Sequence, residues 1–229
     1  MTFATRLLVR DELIGFAKSK AMLVLWLVLP VLSLLGYFLL PAEAFDRGAG
    51  VPPLSATTFM AFVISSISGT VAALLISVDI VSEKNRKVYE LYVIRPIRPE
   101  AIIWAKFLSV FACVTVGCVC ALLIGITADY FRGQPLTGGL IYDAFKANVA
   151  MVFVIALATA AGAFIGVISK QIVVAVLLCL YGAQNLAIIP MIPVYFGFPE
   201  KFWHVMVIAT VITLLIQLGA GVMFRRAQY

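Results

Sequence analysis

Residues 81–106 read VSEKNRKVYELYVIRPIRPEAIIWAK, and nine of these 26 side chains are charged in a chain where only 12% are. Glu83, Glu90 and Glu100 alternate here with Lys84, Arg86, Lys87, Arg95, Arg98 and Lys106. Such a density of carboxylates and cations suits charge-assisted docking of a partner surface. Other residues able to do chemistry are sparse. His204 is the only histidine, and the four cysteines (Cys113, Cys118, Cys120 and Cys179) follow no metal-ligand spacing. Thiols of this kind act as small hydrophobes. The acidic residues are scattered, with no paired-Asp arrangement for Mg²⁺. No G-x-x-x-x-G-K-[ST] phosphate loop occurs, since TGGL at 137 and LGAGV at 218 lack the following Lys-Ser/Thr. The chain is therefore expected not to be an enzyme, not to hydrolyse ATP alone, and to bind no metal or cofactor of its own.

The elements that carry these residues are hydrocarbon-rich. Hydrophobic residues make up 63% of the chain and the mean hydropathy is +1.09, far above a soluble domain. About 20 apolar residues cover the bilayer core, and six stretches qualify: roughly Ala21–Leu40, Leu54–Asp79, Ile102–Ala128, Ala144–Ile168, Gln171–Ile189 and Trp203–Phe224. The expected fold is an all-α integral membrane protein, with residues 1–229 as one six-span domain. With a cytoplasmic N-terminus, Arg6, Arg10, Lys18, Lys20, the six basic residues from Lys84 to Lys106, Lys170, Arg225 and Arg226 lie inside, thirteen of seventeen. Only Arg47, Arg132, Lys146 and Lys201 lie outside, a strong positive-inside bias. Both termini are expected in the cytoplasm, and the protein in the cell (inner or cytoplasmic) membrane. The net charge of +6 reflects that bias and does not call for nucleic acid.

The first apolar run starts only at Ala21 and has no small-x-small cleavage site, so it is read as a retained span. Residues 2–18 predict an amphipathic helix along the cytoplasmic interface, with Phe3, Leu7, Leu13, Ile14, Phe16 and Ala17 on one broad face and Arg6 and Arg10 snorkelling. An ordinary charged leader is the alternative.

In the charged segment, Val88, Tyr89, Leu91, Tyr92 and Val93 form an apolar patch ringed by charge. The pattern predicts a short helix from about Ser82 to Ile94, ended by Pro96 and Pro99, with the next helix starting near Pro99. Such an element suits a cytoplasmic partner; a solvated positive-inside loop would share its composition.

The order of these residues resembles the ABC-2-type permeases, the membrane subunits of many ATP-driven exporters. Their loop between spans two and three typically reads Glu-x-x-x-Gly-Thr-Leu-Glu, with Pro six and Lys sixteen residues after the second Glu. Glu83, Glu90, Pro96 and Lys106 are similar to that motif, whereas Lys87, Val88 and Tyr89 stand where the family has Gly-Thr-Leu. The resemblance covers ELYVIRPIRPEAIIWAK well and the six-span layout loosely. It implies a coupling helix within 81–99, seated on a separate ATP-binding subunit. Glu83, Arg86 and Glu90 would supply its polar contacts, Tyr89, Leu91 and Tyr92 the packing, and Pro96 the turn. Lys106 would anchor the base of span three at the lipid interface. It also implies two permease copies, most simply a homodimer, and two ATPase subunits that hold the ATP and Mg²⁺.

Ser65, Ser66, Ser68 and Thr70 in SSISGT are candidates for helix packing or for lining a pathway. Tyr181, Gln184 and Asn185 in span five are candidates for the dimer axis or an exit. Pro190, Pro193, Gly197 and Pro199 argue against a continuous helix and predict a short re-entrant segment over 190–202, similar to the outer gate of the same family. No full charge is expected deep in a span, Asp79 being the only intramembrane candidate. That disfavours the alternative, a secondary carrier or channel without an ATPase partner.

Overall fold

The computed structural model describes residues 3–39, 56–86, 99–131, 138–195 and 199–227, and among them no strand occurs. Helix α1 (Phe3–Ala17) is followed by α2 (Lys20–Leu39), α3 (Ala56–Asn85), α4 (Pro99–Phe131) and α5 (Gly138–Ile168). A fifth long rod is built from α6 (Ile172–Leu178), a π turn (Cys179–Ala183), α7 (Gln184–Ala187), a 3₁₀ turn (Ile189–Met191) and α8 (Ile192–Tyr195). A 3₁₀ turn (Pro199–Lys201) leads into α9 (Phe202–Ala227). Among the described residues, five helical runs are long and apolar enough to cross a membrane, or six if the bent pair α1–α2 counts as one. This is the pattern of a multi-pass membrane protein.

Local sequence explains the ends. Pro99 opens α4 at the turn whose N–H groups have no intrahelical partner, and Glu100 beside it favours the positive end of the helix dipole. The helix expected to start at Ser82 does not start there. Ser82–Asn85 form the last turn of α3, and the Arg86 amide still bonds the Ser82 carbonyl at 3.0 Å, because nothing between Asp79 and Asn85 breaks a helix. The fifth rod changes its winding where the prolines stand, giving way to a 3₁₀ turn at Ile189–Met191 and then to the four-residue α8. Residues Ile172–Val194 form one run long enough to span, although Pro190 and Pro193 lie within it. Pro190 sits in the first turn of a 3₁₀ segment, where its missing N–H leaves no hydrogen bond unmade.

Two seams hold the bundle. Between α3 and α5, Gly162 lies so close that a Cβ there would stand 2.5 Å from the Ala73 carbonyl oxygen. Gly166 approaches Ser77, and Gly69 meets Val154 and Ala158. Small residues one turn apart on both helices let the backbones touch, the usual route to association where lipid removes the hydrophobic drive. Between α2 and α4, the Trp26 indole Nε1 donates to the Cys113 carbonyl at 2.8 Å, and Ser33 Oγ donates to the Ala121 carbonyl at 3.1 Å. Gly117 makes room for the indole, since a Cβ there would fall 2.8 Å from Trp26 Cδ1. At one end of the bundle α1, the end of α3, the start of α4 and the end of α9 come together, with Glu100 packed on Gly221 and 3.6 Å from Arg225. We call this the basic end.

Candidate functional site

Asp79 and Glu83 are four residues apart on α3, so both carboxylates emerge from one face, one turn apart. Like charges so placed repel unless a cation lies between them. Lys106, in the second turn of α4, supplies it: a long helical side chain leans toward its own helix N-terminus, here toward the basic end. From a third element, Glu12 projects off the inner face of α1, where Leu8, Val9 and Phe16 pack inward against α4. Lys106 Nζ lies 2.5 Å from Asp79 Oδ2, 2.9 Å from Glu83 Oε1 and 3.3 Å from Glu12 Oε1. The lysine is 1% exposed, the carboxylates 31%, 24% and 15% for Asp79, Glu83 and Glu12.

An ammonium has three N–H donors, and three carboxylates face it. A charge so far from water is tolerable only when paired in this way. The cluster is nonetheless unbalanced, with three acids to one base. Glu83 Oε2 is buried without a hydrogen-bond partner. Burial raises the Glu12 carboxyl above its ordinary range; Lys106 pulls it back, while Glu83 and Asp79 push it further up. The Phe16 ring centroid is 6.0 Å from Nζ and closes one side. Beside the cluster, Lys84 Nζ donates to the Val167 carbonyl at 3.0 Å, capping the end of α5. One cation thus ties α1, the end of α3 and the start of α4 together.

Two expected site residues, Glu83 and Lys106, meet here. Lys106, expected as an anchor at the base of span three, is buried among these carboxylates. Glu83 turns Oε1 inward onto Lys106. Arg86 is exposed just past α3. Tyr89, Glu90, Leu91, Tyr92 and Pro96 lie outside the described residues. Glu12 was missed, because in sequence it is one more charge on an amphipathic leader. Its signal was its place one turn from both Leu8 and Phe16, which are buried and half-buried in the structure.

The hydroxyls of the run on α3 bond back to their own helix. Ser65 and Ser68 are buried and Ser66 and Thr70 half-buried. Ser65 Oγ donates to the Phe62 carbonyl at 2.8 Å, Ser68 Oγ to that of Ser65 at 3.3 Å, and Thr70 Oγ1 to that of Ser66 at 2.8 Å. On the fifth rod, Tyr181 is 75% exposed, Asn185 is exposed and Gln184 half-buried. Asn185 Nδ2 donates back to the Tyr181 carbonyl at 2.5 Å, across the π turn. Between α4, α5 and α9 lies an apolar cavity of about 100 Å³ lined by Trp104, Phe107, Phe153, Thr213, Leu214 and Gln217, room for only a few heavy atoms. Among the described residues, no group of His, Cys, Asp and Glu is arranged to hold a metal ion. Compared with models of known protein families and with curated proteins, the sequence matches none.

Proposed function

We propose that the chain is the membrane subunit of an ABC-2-type exporter, moving substrate outward on ATP hydrolysed by a separate polypeptide. The observation that carries this reading is the Lys106 junction at the foot of the 87–98 connection. A partner that pushes on this charged cytoplasmic segment moves the end of α3 and the start of α4. Those two helix ends are linked to each other, and to α1, through one ammonium. Buried ion clusters add little net stability but hold a defined geometry, which suits a joint that must rearrange. Glu90, Tyr89, Leu91 and Tyr92 then face the ATPase, which holds ATP and Mg²⁺.

The transporter is a homodimer with two ATPase subunits. Tyr181 and Asn185 support this, because polar side chains rarely face lipid at the depth of a span, and a second copy across a two-fold axis covers both. The apolar surface with few hydroxyls and amides suits a lipidic or amphipathic cargo. The test is purification from native membranes of wild type and Glu90→Arg. Co-purification of an ATPase with wild type, and its loss from a variant that remains folded and inserted, supports the reading. Wild type emerging without an ATPase overturns it in favour of a secondary carrier.

A further inference from the structure

Glu12 sits on the inner side of α1. The sequence groups Phe16 and Ala17 with Leu7, Leu13 and Ile14 on one apolar face, but the structure separates them. Phe16 and Ala17 pack inward with Leu8 and Val9, while Leu7, Leu13 and Ile14 are exposed. The inner side therefore carries a carboxyl group into an apolar contact, and the charges it meets there decide its own. α3 brings Asp79 and Glu83 to it, and α4 brings Lys106. The other charges of its own helix, Arg6, Arg10 and Asp11, are exposed, as are Lys18 and Lys20 at the bend into α2. Glu12 thus faces one cation and two anions. With all three acids ionised, three carboxylates around one ammonium leave two negative charges in excess.

Excess charge in so little water is costly unless a cation or a proton joins it. Glu83 Oε2 shows which of these fits. It is buried, accepts no hydrogen bond, and offers almost no surface that water or a metal ion could touch. A proton is small enough. An ionised carboxylate can only accept, whereas a protonated one adds an O–H donor. The three N–H groups of the ammonium are matched by three carboxylates, so a further donor has the leftover oxygen to serve. Glu12 is the best carrier. It is the farthest of the three from Lys106 Nζ, at 3.3 Å against 2.5 and 2.9 Å, and the least exposed, at 15%. It gains least from the cation and loses most by burial. We propose that the Lys106 junction binds one proton, held on Glu12 with Glu83 as its acceptor, and that this proton links the contact between α1 and α4 to pH. While α1 is docked the proton stays. When α1 moves away Glu12 meets water, its O–H bond breaks and the proton passes to solvent. The contact is therefore favoured in acid and weakens as pH rises toward the docked value. This inference goes beyond the ATPase partnership and does not depend on it.

The test uses the full chain in nanodiscs, with infrared spectra recorded as pH is varied. The signal is the carbonyl stretch of protonated carboxyl groups, compared between wild type and Glu12→Gln. The band that Glu12→Gln removes is expected to titrate above the ordinary glutamate value of about 4.3. Asp11→Asn, at an exposed neighbouring acid, should leave that band unchanged. A band that titrates at or below the ordinary value, or no band lost in Glu12→Gln, overturns the inference. A second readout leaves the junction itself unsubstituted. Spin labels at Leu7→Cys on α1 and Val116→Cys on α4, both exposed, are placed in a Cys120→Ser background, the other three cysteines being buried. Electron–electron distances then report docked and undocked α1. The undocked-to-docked ratio should rise up to about tenfold per pH unit until Glu12 has lost its proton, and then level off. Glu12→Gln should show no such rise. A ratio that stays constant while the band disappears overturns the link between proton and contact.

Discussion

Lys106 on α4 and Glu12 on α1 stand 3.3 Å apart, Nζ to Oε1. That contact brings the leader helix into a junction otherwise made by two membrane-spanning helices. Without it, α1 would pack on the bundle through the apolar side chains of Leu8, Val9, Phe16 and Ala17, with no directional contact to α4. With it, the helix has a register. A displacement at the start of α4 therefore reaches α1 through a directional bond as well as through packing.

Removing the cation should be costly. Lys106→Met leaves three carboxylates around an apolar side chain, and breaking a buried ion cluster in this way costs about 3–5 kcal/mol. Thermal unfolding of the detergent-solubilised variant should show a clear loss, partly recovered when Asp79→Asn and Glu83→Gln are added. Lys106→Met melting with wild type would show that the junction carries no stability.

Glu12 should behave in the opposite sense. Burial raises its carboxyl above the unfolded value, so the folded protein holds that proton more tightly than the unfolded chain does. Its favourable contribution is complete below the unfolded value and is lost as pH rises through the folded one. Glu12→Gln, which fixes a neutral side chain, should therefore match wild type in acid and equal or exceed it in melting temperature above that range. Stability of Glu12→Gln falling below wild type as pH rises would contradict this.

The seam between α3 and α5 should tolerate no added carbon. Gly162→Ala places a methyl 2.5 Å from the Ala73 carbonyl oxygen and 2.6 Å from its Cα, both backbone atoms that can yield only by separating the helices. We expect a loss of about 1–3 kcal/mol or more, measured by thermal unfolding. Gly182→Ala, with nothing within 4 Å of the new methyl, should be neutral or slightly stabilising in the isolated subunit.

If two copies meet across the fifth rod, Tyr181→Cys in a Cys120→Ser background should form an intermolecular disulfide in membranes under mild oxidation. Val207→Cys, exposed on α9, serves as the comparison and should not. Monomer only from both, with the protein inserted and folded, would remove the dimer face from the fifth rod.

Much of the architecture was legible because hydropathy is a one-dimensional property. Apolar runs long enough for a bilayer mark the spans, and Pro99 marks the start of α4, since proline acts on its own neighbours. The same local reasoning started a new helix at Ser82, where α3 in fact continues to Asn85, because the onset of charge was read as the end of the span and no Gly or Pro there stops a helix. In the fifth span it expected an interruption from Pro190 onward, and there the α-helix gives way to a 3₁₀ turn at Ile189–Met191. On α1 the amphipathic pattern was visible, but not which side would turn inward.

Composition and order thus determined a multi-pass helical membrane protein and its charged connection. Tertiary structure alone decided that Lys106 would be buried, and that Glu12, Asp79 and Glu83 would be its partners. An ammonium on a helix can reach either headgroups or carboxylates, and sequence contains both. Which one it meets depends on which helix faces pack together, and that is decided by contacts between residues far apart in the chain.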